Sequence, residues 1–133
     1  MAGYSGTPLA KKLGLKAGLT VLTIDAPANY LALIAPTEAL TFAARPGRTV
    51  DLVHGFFTTA SALSKALKAV RERCGSGVTM WVSWPKKRSG LATEVGEDLI
   101  RALALPLGFV DVKVCAVDEV WSGLKLVVRT SLR

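Results

Sequence analysis

An apolar run that ends at a basic loop constrains the fold of this chain more than any other feature. Residues Val78 to Trp84 form a β-prone segment that ends before Pro85. Three cationic residues follow it: Lys86, Lys87 and Arg88. A helical pattern then runs from Thr93 to about Leu105. A buried strand that leads into such a loop is typical of open α/β sheets, whose ligands bind at the carboxyl ends of the strands.

The other segments alternate between strand and helix patterns. Strands are predicted at Leu19–Ile24, Leu40–Ala44 and Val50–Phe57, the last of them mostly apolar. Helices are predicted after an N-cap at Thr7 with Pro8 as the first helical residue, from Tyr30 to about Ile34, and from Ala60 to Arg73 behind an N-cap at Thr59. On the last helix, the residues predicted to face the core are Leu63, Leu67, Val70 and Cys74.

The C-terminal quarter has a different pattern. Two partly alternating segments, residues 109–117 and 124–129, are joined by a short polar loop, which predicts an antiparallel hairpin. The order of elements therefore predicts an α/β protein with a three-layer, Rossmann-like arrangement, in which the sheet is mostly parallel and ends in the hairpin. Residues 1–133 are expected to form one domain.

The composition and net charge predict where the protein is located and which partners it binds. Half of the residues are hydrophobic, which excludes a disordered chain, yet no uninterrupted apolar run is long enough to span a membrane. The first residues lack the pattern of a secretory signal, so a cytoplasmic protein is expected. The net charge is +7, which favours acidic partners such as phosphate groups or nucleic acid.

Metal and hydrolase chemistry find little support in the sequence. Cys74 and Cys115 lie far apart in no metal-binding spacing and are expected to be buried thiols. The only histidine, His54, lies within an apolar run and is expected to be hydrogen-bonded or to lie on an edge strand. No phosphate-binding loop and no dinucleotide fingerprint occur. The sequence therefore predicts no metal site and assigns no catalytic residue.

Candidate ligand-binding residues cluster where the predicted strands end, and each has an ordinary structural alternative. The basic loop is expected to hold phosphate or carboxylate groups, or simply to keep the loop solvated. The first turn of the helix after Thr59 could accept an anion through its amides, although ordinary capping explains the same residues. The full set comprises Asp25, Asn29, Thr58, Thr59, Trp84, Lys86, Lys87, Arg88, Asp118 and Trp121. Trp84 and Trp121 could stack a base; alternatively, Trp84 covers the sheet and Trp121 packs under the hairpin loop.

Three stretches resemble signatures of a bacterial family filed as a domain of unknown function: Gly3–Gly14, Val82–Lys87 and Asp111–Lys125. The order of elements is also similar to a shortened class I methyltransferase fold, in which the first strand, loop and helix hold S-adenosylmethionine. That resemblance implies glycines after the first strand and an acid after the second. Here residues 25–29 contain no glycine, Pro27 lacks an amide donor, and Arg45 follows the second strand.

The functional hypotheses follow in order. The first is a non-catalytic, Rossmann-like protein without a cofactor that binds a small anionic ligand or an unidentified protein through the basic loop. The alternative is an S-adenosylmethionine-dependent methyltransferase with an altered cofactor loop. A third hypothesis is a nucleic-acid-binding module, motivated by the positive charge.

Overall fold

A computed structural model describes residues 7–133. Its strands are β1 (Thr20–Ile24), β2 (Thr41–Phe42), β3 (Leu52–Phe56), β4 (Thr79–Pro85), β5 (Phe109–Ala116) and β6 (Trp121–Val128). Its α-helices are α1 (Leu9–Leu13), α2 (Tyr30–Leu33), α3 (Ala60–Arg73) and α4 (Glu97–Ala104). Short 3₁₀ turns cover Lys87–Ser89, Leu105–Leu107 and Thr130–Leu132.

The strands form a six-stranded sheet in the order β2-β1-β3-β4-β6-β5. Strands β1 to β4 pair in parallel, and β6 runs antiparallel between β4 and β5. The predicted mostly parallel sheet with a C-terminal antiparallel hairpin is thus confirmed. The strand order reverses between β1 and β3, and such a reversal opens a crevice at the carboxyl ends of the strands.

Helices cover both faces of the sheet and give the predicted three layers. Helices α3 and α4 pack on one face, where the core includes Leu63, Val70 and Ile100. Helices α1 and α2 pack on the other face around Leu13 and Trp81. The indole N–H of Trp81 donates to the Leu13 carbonyl at 2.9 Å and fixes the end of α1 to the sheet. The predicted inner face of α3 is confirmed, since its four expected residues are buried.

The start of α1 differs from the prediction. Pro8 is the N-cap and Leu9 the first helical residue, because the Pro8 carbonyl accepts from the amides of both Lys11 and Lys12 at 3.1 Å. Thr7 is therefore not the cap. The predicted end is confirmed, because Gly14 adopts the left-handed conformation that glycine favours, with φ of 82°.

The start of α4 is also later than predicted. The helix begins at Glu97, with Gly96 as its N-cap in an extended conformation. The preceding residues are bound elsewhere: the Glu94 amide donates to the Thr58 carbonyl at 2.8 Å, and the Thr93 hydroxyl accepts from the Val95 amide at 3.0 Å. Local side-chain bonds of this kind compete with helix formation. Residues 93–96 therefore lie outside α4 and are hydrogen-bonded, through Glu94, to the loop after β3.

Candidate functional site

The carboxyl edge of the sheet is where the sequence predicted a ligand site. Asp25 directly follows β1, and Lys86 directly follows β4. Thr58 lies two residues beyond β3, and Asp118 lies in the turn between β5 and β6. Because β1, β3 and β4 are parallel and β6 runs back between β4 and β5, these four residues lie along one edge.

The basic loop is a fixed turn in which only part of the charge is exposed. Lys86 is tied to the β5–β6 turn, because its amide donates to the Val120 carbonyl and its ammonium to the Asp118 carbonyl, both at 2.7 Å. The Ser89 hydroxyl donates to the Lys86 carbonyl at 2.7 Å and closes the turn. Lys87 and Arg88 are exposed. Lys86 thus holds the loop in place, whereas the next two side chains point charge into solvent.

Asp118 has structural partners within the hairpin, and the Trp121 ring has one on β3. One carboxylate oxygen of Asp118 accepts from the amides of Val120 and Trp121, each at 2.8 Å, and shapes the turn. The Trp121 ring meets Phe56 edge-on with a centroid distance of 5.0 Å. Trp121 therefore packs against β3 and is the first residue of β6, which begins earlier than the predicted Leu124. Its ligand-binding role stays a prediction.

The loop after β1 contains a strained residue. Asp25 is exposed and has φ of 53°, in the left-handed region where a residue other than glycine is uncommon. Asparagine and aspartate tolerate this conformation better than most residues, and such conformations cluster at ligand sites. Asn29 precedes α2 and is exposed, and its side chain makes no capping hydrogen bond.

An apolar crevice of about 390 Å³, hereafter the β1–β2 crevice, is formed by the carboxyl ends of β1 and β2, the loop after β1 and α2. Its lining residues are Thr23, Ala26, Pro27, Ala28, Tyr30, Leu31 and Phe42, none of them charged. Leu31 and Phe42 are 56% and 41% exposed, although both are large apolar side chains. Two such residues at one concave site are a feature of ligand-binding pockets. The sequence alone does not reveal this pair, because only the pairing of β2 with β1 brings Phe42 to the loop and helix that follow β1.

The N-terminus of α3 already holds an acidic side chain. The Glu94 carboxylate accepts from the Ala60 amide at 2.8 Å, and the Thr59 hydroxyl accepts from the Ala62 amide at 3.2 Å. The capping role predicted for Thr59 is confirmed. Thr58 is exposed and offers its carbonyl to the Glu94 amide. An external anion at this helix end would therefore have to displace a carboxylate of the protein.

A larger cleft of about 790 Å³ lies beside the basic loop, hereafter the β4 cleft. Trp84, half-buried at the end of β4, lines it together with Leu91 and Lys87. Three carboxylates also line the cleft: Glu94, Glu97 and Asp98. Glu97 pairs with Arg101 at 2.8 Å, and Asp98 approaches the same arginine at 3.6 Å. The cleft thus mixes both signs of charge and does not form a purely cationic site.

A buried polar chain crosses the sheet behind the β1–β2 crevice. The Tyr30 hydroxyl and His54 Nδ1 lie 2.8 Å apart, and His54 Nε2 lies 2.7 Å from the Ser83 hydroxyl. His54 and Ser83 are fully buried, and burial lowers the pKa of His54 to about 3. The prediction of a hydrogen-bonded histidine is confirmed, and β3 is a central strand. Sequence reasoning missed Tyr30 and Ser83 as its partners, since only strand register reveals them.

Residues 7–133 contain no cluster of histidine, cysteine, aspartate or glutamate side chains that could hold a metal ion. In the same part of the chain, no helix has the length and apolarity needed to cross a bilayer.

Solved structures with this architecture include a methyltransferase and proteins bound to S-adenosyl-L-methionine or SAH. An S-adenosylmethionine-dependent methyltransferase from Aquifex aeolicus has a TM-score of 0.57 and 16% identity, over 91% of this chain and 88% of that protein. Fibrillarin from Aeropyrum pernix, solved with natively bound S-adenosyl-L-methionine, has a TM-score of 0.58 and 14% identity, over 90% of this chain and 73% of that protein. PigF with SAH has a TM-score of 0.62 and 11% identity, over 92% of this chain and 62% of that protein.

These likenesses define the class of fold: a Rossmann-like, class I methyltransferase fold. At such identities they show the fold alone. No protein-family model and no curated protein sequence matches the chain. The resemblance to a bacterial family of unknown function stays a prediction, and its residues Gly3 to Gly6 lie outside the described residues.

Proposed function

We propose that the protein binds S-adenosylmethionine, or a ligand that shares its adenosyl group, in the β1–β2 crevice. The observation that supports this most is the position of the crevice. It lies beside the reversal of strand order, at the carboxyl ends of the first strands, and the exposed Leu31 and Phe42 line it. Methyltransferase-fold proteins solved with S-adenosylmethionine or SAH support the choice of ligand.

The residues of the crevice suit one part of this ligand best. Leu31 and Phe42 offer apolar surface to a flat adenine ring, and the Thr23 hydroxyl offers a polar contact. No acid lines the crevice, and Ala43 and Ala44 follow β2 where the fold would place a carboxylate for the ribose. Asp25 is the carboxylate nearest in sequence to the lining residues, since it directly precedes Ala26. Its left-handed backbone occupies the position where the fold usually has glycine. We therefore assign the ribose or amino group of the ligand to Asp25.

Binding is the function proposed at this site, and transfer of a group is not assigned to a residue. When bound, S-adenosylmethionine supplies an electrophilic methyl group. The residues of this chain would hold the adenine ring, exclude water from it and orient the charged end towards Asp25. Tyr30 closes the inner wall of the crevice and is fixed there by His54.

Calorimetric titration with S-adenosylmethionine and S-adenosylhomocysteine tests the proposal. Leu31→Ala should weaken binding by roughly tenfold, because about 1 to 2 kcal/mol of apolar contact is lost. Leu91→Ala is a matched control, since Leu91 is 52% exposed but lines the β4 cleft. Equal affinity of both variants, or no heat with the wild-type protein at millimolar ligand, would reject the proposal.

A second candidate function is supported by the rigid turn of the basic loop. Three hydrogen bonds fix Lys86 and Ser89, so that Lys87 and Arg88 project from a preorganised turn. Such a turn could hold a small anionic ligand or an acidic partner without catalysis. Thermal stabilisation by phosphate or by a dicarboxylate should then disappear in Lys87→Ala/Arg88→Ala. An unchanged response of this double variant would remove the loop from consideration.

A further inference from the structure

We infer that a cluster of arginines at the amino edge of the sheet binds the phosphate backbone of nucleic acid. The cluster contains five of the eight arginines in the chain: Arg48, Arg71, Arg73, Arg129 and Arg133. The cluster lies at the opposite end of the strands from the β1–β2 crevice and the β4 cleft. The inference therefore does not rest on adenosyl binding in the β1–β2 crevice.

Three separate segments bring these arginines together. Arg71 and Arg73 lie in the last turn of α3, and Arg129 follows the end of β6. The Arg71 guanidinium donates to the Leu107 carbonyl at 2.9 Å, and the Arg129 amide donates to the adjacent Gly108 carbonyl at 2.8 Å. Arg71 and Arg129 are thus anchored on neighbouring residues.

The remaining two arginines extend this surface. The Arg133 guanidinium donates to the Val128 carbonyl at 2.8 Å and so stays at the end of β6. Arg48 lies in the loop before β3, where the Gly47 backbone contacts the Cys74 thiol at the end of α3. Arg48, Arg73, Arg129 and Arg133 are exposed, and Arg71 is half-buried. The result is an arginine-rich face built from distant parts of the sequence.

The positive charge of this face is not neutralised by ion pairs. For residues 7–133, the three ion pairs all belong to Arg101, so none of the five arginines has a carboxylate within ion-pair distance. Nearby, the Asp51 carboxylate is engaged by the Thr20 amide at 2.8 Å. Glu72 is the acid within the last turn of α3. With five arginines against these two carboxylates, the face keeps a net positive charge.

Helix termination accounts for only part of the cluster. Cations in the last turn of a helix complement its dipole, which is a sufficient reason for Arg71 and Arg73. It does not account for arginines that come from the loop before β3 and from the residues after β6. Arginine also presents a planar set of donors that matches phosphate oxygens in pairs. Contacts of this kind are made to the backbone of a nucleic acid and are independent of sequence.

Fluorescence anisotropy with a labelled oligouridylate of about 20 nucleotides tests the inference, at salt concentrations from about 50 to 200 mM. The logarithm of the wild-type affinity should fall with the logarithm of salt with a slope of about −2 to −4, because each phosphate contact on a single strand contributes about −0.7. Arg73→Gln/Arg129→Gln should weaken binding at least about tenfold and flatten the slope by about 1.4. Neither side chain makes a hydrogen bond or ion pair within residues 7–133, so the fold should survive, which a thermal melt checks.

The control is Arg45→Gln/Lys65→Gln, which removes the same charge from exposed residues that follow β2 and lie in the first half of α3. It should leave both affinity and slope close to wild type. An equal loss in the two double variants would mean that net charge alone drives binding, and the inference would be overturned. A flat salt dependence, or binding to anionic lipid vesicles with none to the oligouridylate, would overturn it as well. Each of these results is separate from any result with S-adenosylmethionine.

Discussion

His54 and Ser83, on the neighbouring central strands β3 and β4, are joined by a hydrogen bond of 2.7 Å between Nε2 and the hydroxyl oxygen. The second ring nitrogen of His54 is engaged by Tyr30 at 2.8 Å. Both polar atoms of a fully buried imidazole are thereby satisfied, which removes most of the cost of burying it. This series of hydrogen bonds also fixes the ring of Tyr30, which forms a wall of the β1–β2 crevice.

The buried His54 makes the protein sensitive to acid. Burial lowers the pKa of His54 from its ordinary value of 6.5 to about 3, so the folded protein keeps it neutral while the unfolded chain protonates it. Its contribution to stability is present in full above pH 6.5 and is lost as the pH falls towards 3. Urea titrations at several pH values between 6 and 4 measure the unfolding free energy of wild type and of His54→Gln. Plotted against pH, the two free energies should differ in slope by about 1.4 kcal/mol per pH unit. Parallel slopes would show that His54 does not stay neutral when folded.

Removal of the Tyr30 hydroxyl should leave a polar atom of His54 without its partner. We expect Tyr30→Phe to lower the free energy of unfolding by about 1 to 3 kcal/mol, because a buried group loses its hydrogen bond. Ser83→Ala should have a similar effect, and the double variant should be less destabilised than the sum of the two. A double-mutant cycle by urea unfolding measures this coupling. Additive losses would contradict a connected chain.

The carboxylate of Glu94 should stabilise α3. It accepts from the Ala60 amide at the first helical residue, so Glu94→Ala should cost about 1 kcal/mol of unfolding free energy. Glu94→Gln keeps an acceptor oxygen and should lose less. Glu119→Ala removes an exposed acid elsewhere and is the control. Equal stability of Glu94→Ala and the control in thermal melts would exclude a capping role.

Gly55, in the middle of β3, should tolerate no side chain. A Cβ atom there would lie 2.5 Å from ring carbons of Phe57, which is itself buried. Overpacking of this kind typically costs about 1 to 3 kcal/mol. Gly55→Ala should therefore lower the midpoint of thermal unfolding by several degrees. Gly47→Ala is the comparison, since nothing lies close to that position. A Gly55→Ala variant as stable as Gly47→Ala would mean that the Phe57 ring can move aside.

Much of the fold could be predicted from local patterns. The apolar run before Pro85, the amphipathic period of α3 and the alternation of the last two strands each report on burial, and burial follows directly from the order of side chains. The predicted elements consequently match the observed ones in type and order. The predicted starts of α1 and α4 were wrong because they depend on local hydrogen bonds that no periodic pattern contains. These bonds are accepted by the Pro8 carbonyl for α1, and by the Thr58 carbonyl and the Thr93 hydroxyl before α4.

The candidate sites were harder to predict, because they depend on strand register and on partners distant in sequence. Lys86 had the expected position, yet its ammonium bonds to the Asp118 carbonyl, which only the pairing of β4 with β6 makes possible. Leu31 and Phe42 carry no chemical signal in the sequence. Their exposure became informative only when the β1–β2 crevice was seen. The predicted ligand-binding roles of Asp25, Asn29 and the basic loop stay predictions.

Nuclear magnetic resonance of the ¹⁵N-labelled protein titrated with S-adenosylhomocysteine tests the central claim most directly. If the adenosyl group binds in the β1–β2 crevice, amide shifts will concentrate in residues 23–31 and 41–43 and saturate with ligand. Shifts confined to the basic loop and the start of α4, or no shifts at millimolar ligand, would contradict the account.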